Sequence, residues 1–332
     1  MSSNLIIGAG AIGTVLAGYL MAARRETRIA ILEEEVAGIS AADGLCVDRI
    51  TGRPPLRVPK PKVAVRPEPL PGENVFICVK YRDLGPLLDS MPAQLPAGVT
   101  LIPCLNGVGA SRELQLRYPD TPVAALTVMF NAQLLEPLHA RITARPQVLI
   151  NTDDRELLTL FGRTGVEVRR AAGESAAWGK LLINLANGIC ALTHTTFKDL
   201  LTEPDMTACF VALLDEAVEA LHRADIAYTL PIPLPYSWYR LILLHGGPLP
   251  WWVGRLKNNM SEGSYPSMVA DVRHGKTTEV RQLNGEIVRL AQSQGRQAPC
   301  NATVMQMVEA LEGQAQHSFL SPSELRNRLF SR

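Results

Sequence analysis

Residues 4–35 read NLIIGAGAIGTVLAGYLMAARRETRIAILEEE. A short apolar run (4–7) leads through a glycine turn into AIGTVLAGYLMAA, whose apolar positions recur at helical spacing, and then into a second apolar run, RIAIL (28–32). This is the pattern of a βαβ unit with strands buried on both faces. GAGAIG, residues 8–13, sits between the first strand and the first helix, the context that gives the GxGxxG pattern a mechanism. Gly8 permits the tight turn, Gly10 lets a pyrophosphate approach the backbone, and Gly13 allows close packing of helix on sheet. Ala9, Ala11 and Ile12 complete the loop, and the helix N-terminus offers unpaired N–H groups and a positive dipole end to phosphates. The plain alternative is a glycine-rich turn that binds nothing. Glu33 lies 20 residues beyond Gly13, where an acidic side chain hydrogen-bonds the ribose 2′-OH of NAD and repels the 2′-phosphate of NADP. Arg24, Arg25 and Arg28 precede the second strand, and one of them folding back would serve a phosphate instead. The cofactor is therefore NAD or NADP, with Glu33 arguing for NAD unless Glu33, Glu34 and Glu35 form only a solvated loop.

Working outward, NVFICV (74–79) and VTLIP (99–103) repeat the buried-strand form, and runs at 122–130, 138–143 and 147–150 are expected to extend the same sheet. From about residue 174 the chain reads as long apolar helices, ESAAWGKLLINLANGICAL and MTACFVALLDEAVEALHRA. The expected architecture is α/β: an N-terminal Rossmann-type doubly wound domain over 1–170, then an all-helical C-terminal domain over 171–332. The stretch 230–266, dense in Pro, Gly, Trp and Tyr, reads as irregular helices and loops, and SFLSPSELRNRLFSR as a surface tail.

The 332 residues are 47% apolar, enough for full hydrophobic cores, which excludes a disordered or fibrous chain. Thirty-three basic against 32 acidic residues leave a net charge of +1, so bulk electrostatics favours neither nucleic acid nor an anionic membrane. No apolar run approaches a bilayer-spanning length, and MSSNLIIGAG lacks the features of a secretory signal. Six cysteines without a CxxC pair read as buried reduced thiols, which suits a cytoplasmic protein. The six histidines show no HxH or HxxxH spacing, so no metal site is expected.

Several other positions carry chemistry. Lys80 follows a predicted strand at its carboxyl end, where ligands bind in open α/β sheets; there it reaches a cofactor or is an ordinary surface lysine. Asn106 and Gly107 form a turn dipeptide at the same edge, and Asn106 offers donor and acceptor to a nicotinamide or substrate group. In WGKLLINLANG, Lys180, Asn184 and Asn187 fall within about 60° on a helix, a polar stripe on an otherwise apolar segment. Burying such groups without partners costs about 1–3 kcal/mol each, so the stripe is expected to face a ligand, the plain alternative being a polar face toward bulk water. SMVADVRHGKTTEV places Ser267, Asp271, Lys276 and Glu279 in one short polar segment, whose spacing alone reveals no function.

Taken together, GAGAIG, VK (79–80), NGVG (106–109), WGKLLIN (178–184) and SMVADVRHGKTTEVRQLNG (267–285) resemble, in order, the motifs of the ketopantoate reductase (2-dehydropantoate 2-reductase) family. The resemblance spans nearly the whole chain. It implies a Rossmann domain followed by a helical domain like the C-terminal domain of 6-phosphogluconate dehydrogenase, with the active site in the cleft between them. It also implies that Lys180 is the general acid and that Glu279 binds the substrate hydroxyl near it. Asn184 and Ser267 would hold the substrate's polar groups, and Asn106 and Lys80 the cofactor. Three features depart from the family. Gly188 stands where a second helix asparagine is common, with Asn187 one residue earlier as a partial substitute. Glu33 stands where NADP-using members tend to have a basic residue, and 230–266 looks longer and more aromatic than usual.

The resulting expectation is an NAD(P)H-dependent oxidoreductase acting on a small 2-oxo acid, foremost ketopantoate to D-pantoate in pantothenate biosynthesis. One rival is a D-2-hydroxyacid dehydrogenase of the mandelate type using NAD, which Glu33 and the aromatic segment favour. Another is a non-catalytic NAD(P)-sensing regulator, which has no need of a proton donor such as Lys180. A homodimer is left open, since the apolar helices and Trp251-Trp252 suit an interface, a core or a substrate pocket.

Overall fold

The computed structural model describes residues 3–331 except 32–34, 51–52, 143–144, 162–164, 173, 231–233, 259–261, 264 and 315–317, and not the side chains of 257 and 258. Its packing divides the chain into two units. One takes the chain up to Leu105 together with Gly109–Glu174, the other Asn106–Val108 together with everything from Ser175 onward.

The first unit contains β1 (Asn4–Ile7), α1 (Ala11–Ala22), β2 (Thr27–Ala30), α2 (Val36–Ala41), β3 (Gly44–Asp48), β4 (Leu56–Pro59), β5 (Lys62–Ala64) and β6 (Asn74–Ile77). It continues through α3 (Leu84–Ser90), β7 (Thr100–Pro103), α4 (Gly109–Arg117), β8 (Leu126–Val128), β9 (Ala132–Glu136), β10 (His139–Ile142), β11 (Gln147–Ile150), α5 (Arg155–Leu160) and β12 (Glu167–Arg170). Its principal sheet is all parallel, in the order β5-β2-β1-β6-β7. β1 is central and buried along its whole length, with Ile6 in register with Ile29 on one side and Phe76 on the other. The chain runs outward from β1 to β2 and β5, then crosses to β6 on the opposite flank. The carboxyl ends of β1 and β6 therefore form the switch point where doubly wound sheets bind ligands. At the amino ends, the buried Asn74 amide donates to Asn4 Oδ1 (3.2 Å) and Asn4 to the Glu26 carbonyl (3.0 Å), tying the two strands together.

The strands after residue 120 do not extend this sheet. β10 pairs antiparallel with β9, the chain turning at Leu138 (φ +59°), and pairs parallel with β3 to give a four-stranded sheet, β4-β3-β10-β9. β12-β11-β8 form a third sheet, approached from β7 through a single bridge between Leu101 and Val123. α1 is gripped between the first two sheets: a Cβ at Gly18 would lie 2.7 Å from Leu45 Cδ2 and 2.9 Å from Val47 Cγ2, both on β3.

Among its described residues the second unit is helical: α6 (Ser175–Asn184), α7 (Ala186–Thr193), α8 (Phe197–Thr202), α9 (Pro204–Arg223), α10 (Tyr236–His245), α11 (Leu249–Asn258), α12 (Ser267–Arg273), α13 (Asn284–Ser293), α14 (Pro299–Glu309) and α15 (Pro322–Phe330). α9 buries Phe210, Leu213, Leu214, Ala217 and Leu221 at helical spacing and anchors the core. The segment read as irregular holds two regular helices, α10 and α11. The segment read as a tail is α15, which carries Leu325 and Leu329 into the core. Its start is a capping box, Ser321 accepting from the Glu324 N–H while Glu324 accepts from the Ser321 N–H, with Pro322 in the first turn.

Candidate active site

The loop after β1 is built around its glycines. Gly8 has φ +101°, and a Cβ there would lie 2.9 Å from the Cys78 carbonyl oxygen just past β6. At Gly13 a Cβ would lie 2.0 Å from the Gly8 carbonyl oxygen, so no side chain fits where α1 crosses the turn. Gly10 differs: a Cβ there would meet nothing within 4 Å. The backbone at Gly10 thus borders open space, as a diphosphate lying against it requires. The Thr14 hydroxyl, fully buried, donates to the Ala9 carbonyl (3.1 Å) and braces the loop from within. Ala11 and Ile12 open α1, whose N-terminus has neither a side-chain cap nor an acidic residue in its first turn, leaving its dipole available to an anion. These residues fit a dinucleotide.

Lys80 is exposed three residues beyond β6, at the same carboxyl edge, and precedes the turn Tyr81–Asp83. Arg28 is committed elsewhere: its guanidinium holds the buried Glu73 carboxylate in a two-pronged pair (2.8 and 2.7 Å), which removes it as a partner for a phosphate. Arg25 donates to the Thr159 carbonyl (3.3 Å). Glu33 and Glu34 lie outside the described residues.

In the second unit, Lys180 and Asn184 are partly buried on α6, and Asn187 is 7% exposed on α7. Neither amide has a hydrogen-bond partner among the described residues. Gly179 lets the 229 segment cross beside Lys180, since a Cβ there would lie 1.8 Å from the Thr229 carbonyl oxygen, and the Thr229 N–H donates to the Ser175 carbonyl (2.9 Å). Gly188 has no room for the asparagine common in the family: its Cβ would lie 2.6 Å from Val304 Cγ1 and 3.2 Å from Asn284 Oδ1. Position 188 is thus packed against α14, with Asn187 beside it on α7.

Asn106 and Glu279 meet directly. The Asn106 amide donates to Glu279 Oε2 at 2.9 Å. The left-handed Gly107 (φ +86°) lies against the turn that follows Glu279, where a Cβ would come 2.9 Å from the Gln282 carbonyl oxygen, and Val108 enters the helical core. Thr278 fixes the other side of Glu279, its N–H and hydroxyl both donating to Glu312 (2.9 and 2.7 Å). Ser267 is exposed at the start of α12, and no hydrogen bond joins it to these groups among the described residues.

Sequence reading missed the buried support beneath this region. The Asn284 amide donates to Asn301 Oδ1 (3.1 Å), and the Asn301 amide to Glu216 (2.8 Å) and the Leu213 carbonyl (3.1 Å). Glu216 also accepts from the Cys300 and Asn301 N–H groups, capping α14. The only trace in the sequence is a set of polar residues inside apolar helices.

The chain matches the ketopantoate reductase PanE/ApbA family model over residues 4–154 and the family's C-terminal model over 174–312. It belongs to the ketopantoate reductase family. This is a family of oxidoreductases, and its two-part fold is the one seen here. A 2-dehydropantoate 2-reductase of Aquifex aeolicus is 26% identical, with 93% of this chain aligned to 96% of that protein. A PanE/ApbA family ketopantoate reductase structure from Ralstonia eutropha JMP134 superposes with a TM-score of 0.78 at 25% identity, covering 95% of this chain and all of that one. The ternary structure of D-mandelate dehydrogenase with NADH and anilino(oxo)acetate shares the fold, with a TM-score of 0.74 at 17% identity over 97% of this chain and 99% of that one. Among the described residues no helix is long and apolar enough to cross a membrane.

Proposed function

We propose that this chain reduces a small 2-oxo acid with NAD(P)H, ketopantoate to D-pantoate being the pair the family membership favours. The observation that carries the reading is the set Lys180 and Asn184 on α6 and Asn187 on α7, whose two amides make no side-chain hydrogen bond among the described residues, Asn187 being 7% exposed. Amides not engaged by the described residues can give and accept hydrogen bonds from a substrate's polar groups.

A reduced nicotinamide, when bound by these residues, would supply the hydride for the ketone carbon. Lys180 donates a proton to the ketone oxygen, its ammonium stabilising the alkoxide charge as it develops. Asn184, Asn187 and Ser267 hold the substrate's polar groups, and Glu279, steadied by Asn106, accepts from its hydroxyl. Gly8 through Gly13 hold the pyrophosphate against backbone N–H groups, with Lys80 and Asn106 contributing to cofactor binding. Glu33 favours NAD over NADP through the ribose hydroxyls, a preference to which Arg28, engaged with Glu73, offers no counterweight. The exposed apolar residues Trp238 and Leu241 on α10 and Trp252 and Leu256 on α11 suit a homodimer interface, whereas Trp251 is buried.

Turnover of Lys180→Ala tests the reading. Most activity should vanish while dinucleotide binding stays measurable, and near-normal turnover would sink it. Assays with ketopantoate, phenylglyoxylate and branched 2-oxo acids, each with NADH and NADPH, separate ketopantoate reduction from a mandelate-type activity.

A further inference from the structure

The four-stranded sheet of the first unit has one face in the core and one outside it. Leu45, Val47 and Ala140 point inward and are buried. On the other face, the parallel register of β3 and β10 sets Cys46 opposite His139 and Asp48 opposite Arg141. The result is a compact cluster: one ligand atom each from Cys46 (Sγ), Asp48 (a carboxylate oxygen) and His139 (a ring nitrogen), all within 4.8 Å of one another.

Two features aim these groups at a shared point. His139 Nε2 lies 3.3 Å from Asp48 Oδ1, is shielded from solvent and makes no aligned hydrogen bond. Arg141 holds the other Asp48 oxygen, Oδ2, through Nη2 (3.1 Å) and Nε (3.3 Å), which fixes the carboxylate with Oδ1 turned to the imidazole. Cys46 is 8% exposed, with Arg57 in register across from it on β4.

We propose that Cys46, Asp48 and His139 form a binding site for a divalent transition metal of the zinc class, with water as the fourth ligand. A sulfur, a nitrogen and an oxygen donor suit zinc or cobalt and not the hard, all-oxygen preference of magnesium or calcium. In a tetrahedral site with metal–ligand distances of about 2.0–2.3 Å, ligand atoms stand about 3.3–3.8 Å apart, so atoms within 4.8 Å of one another need to close by no more than about 1.5 Å. Thiolate and carboxylate together balance the charge of the ion, and Arg141 on Oδ2 is the outer-shell partner that orients a carboxylate ligand. Because strand pairing assembles the ligands, the metal binds the folded state and pins β3 to β10. The isolated histidines gave no hint of this, since the ligands come from two strands far apart in sequence.

Cobalt titration of the chelator-treated, untagged full-length protein tests the site. The expected result is one cobalt per chain, with a near-ultraviolet thiolate charge-transfer band and visible bands of a tetrahedral centre, displaced by zinc. Cys46→Ser should abolish the thiolate band, and His139→Ala and Asp48→Asn should each weaken binding at least tenfold. Cys300→Ser, which alters a partly buried thiol outside the cluster, should leave the band intact. Absence of stoichiometric binding, or a thiolate band that survives Cys46→Ser, overturns the proposal. If a variant does not fold, X-ray absorption of the zinc-loaded wild-type protein decides: one sulfur among nitrogen and oxygen neighbours supports the site, and a shell without sulfur refutes it.

Discussion

The Asn106 amide donates to the Glu279 carboxylate at 2.9 Å, joining residues 173 positions apart in the sequence. A hydrogen bond to a charged group is worth about 1.5–3 kcal/mol. Asn106→Ala should therefore lower the melting temperature modestly, since the pair is only partly buried, and lower kcat/KM by about tenfold or more if Glu279 loses its position. Steady-state kinetics beside thermal denaturation checks this, and an unchanged kcat/KM would remove Glu279 from the proposed machinery.

Gly10 and Gly13 make opposite predictions from one loop. A Cβ at Gly10 enters open space, so Gly10→Ala should fold with near wild-type stability and lose dinucleotide affinity. Gly13→Ala forces a carbon to 2.0 Å from the Gly8 carbonyl oxygen, so it should lower both the melting temperature and the affinity. Calorimetry and nucleotide fluorescence titration of the two variants distinguish a ligand-facing glycine from a packing one.

Restoring the family's asparagine at position 188 should be harmful. The Gly188→Asn side chain begins 2.6 Å from Val304 Cγ1, and overpacking of this kind costs about 1–3 kcal/mol. Urea unfolding should show a lower midpoint. Pairing it with Val304→Ala should recover part of the loss; a stability equal to wild type in the single variant would mean that α14 yields easily.

Burial pushes the Cys190 and Cys209 thiols up to about 12. Unfolded, they ionise near 9, so between pH 9 and 12 the unfolded chain has released protons that the folded one retains. Stability is then fully present below pH 9 and falls as the pH rises, by up to about 1.4 kcal/mol per pH unit for each thiol. Cys190→Ala should be less stable at pH 8 because it leaves a cavity, yet lose stability less steeply above pH 9, which denaturant unfolding across that range would measure. An unchanged slope would assign the alkaline loss to other groups.

The legible parts of the fold were those written in local periodicity. β1, α1, β2, β6 and β7 announce themselves because strands buried on both faces are continuously apolar and the glycine loop has a fixed spacing. The second sheet was not legible, since β3, β4, β9 and β10 are short and lack a long continuous apolar run, and β10 pairs with β3, about 90 residues earlier in the chain, a pairing no local spacing reveals. α15 was hidden by its polar composition, although SPSE at 321–324 is a capping signal that could have marked its start. In the site, helical spacing put Lys180, Asn184 and Asn187 on one helix; Lys180 and Asn184 do share α6, but the helix breaks at Leu185 and Asn187 lies on α7. The link of Asn106 to Glu279 was not legible, because a hydrogen bond between distant segments leaves no spacing to read. The same is true of Arg28, whose bond to Glu73 depends on how the strands and loops fold together.

Asn106–Val108 belongs to the helical unit although the chain on both sides of it belongs to the other. No single cut therefore separates the two. A fragment starting at Ser175 would lack the Val108 side chain from its core and the amide that Glu279 accepts from, and its complement would carry three residues with nowhere native to pack. Shuffling the cofactor half of one homologue onto the helical half of another thus means transplanting this tripeptide with the helices. Otherwise the recipient's own tripeptide must match the foreign turn at residues 279–282.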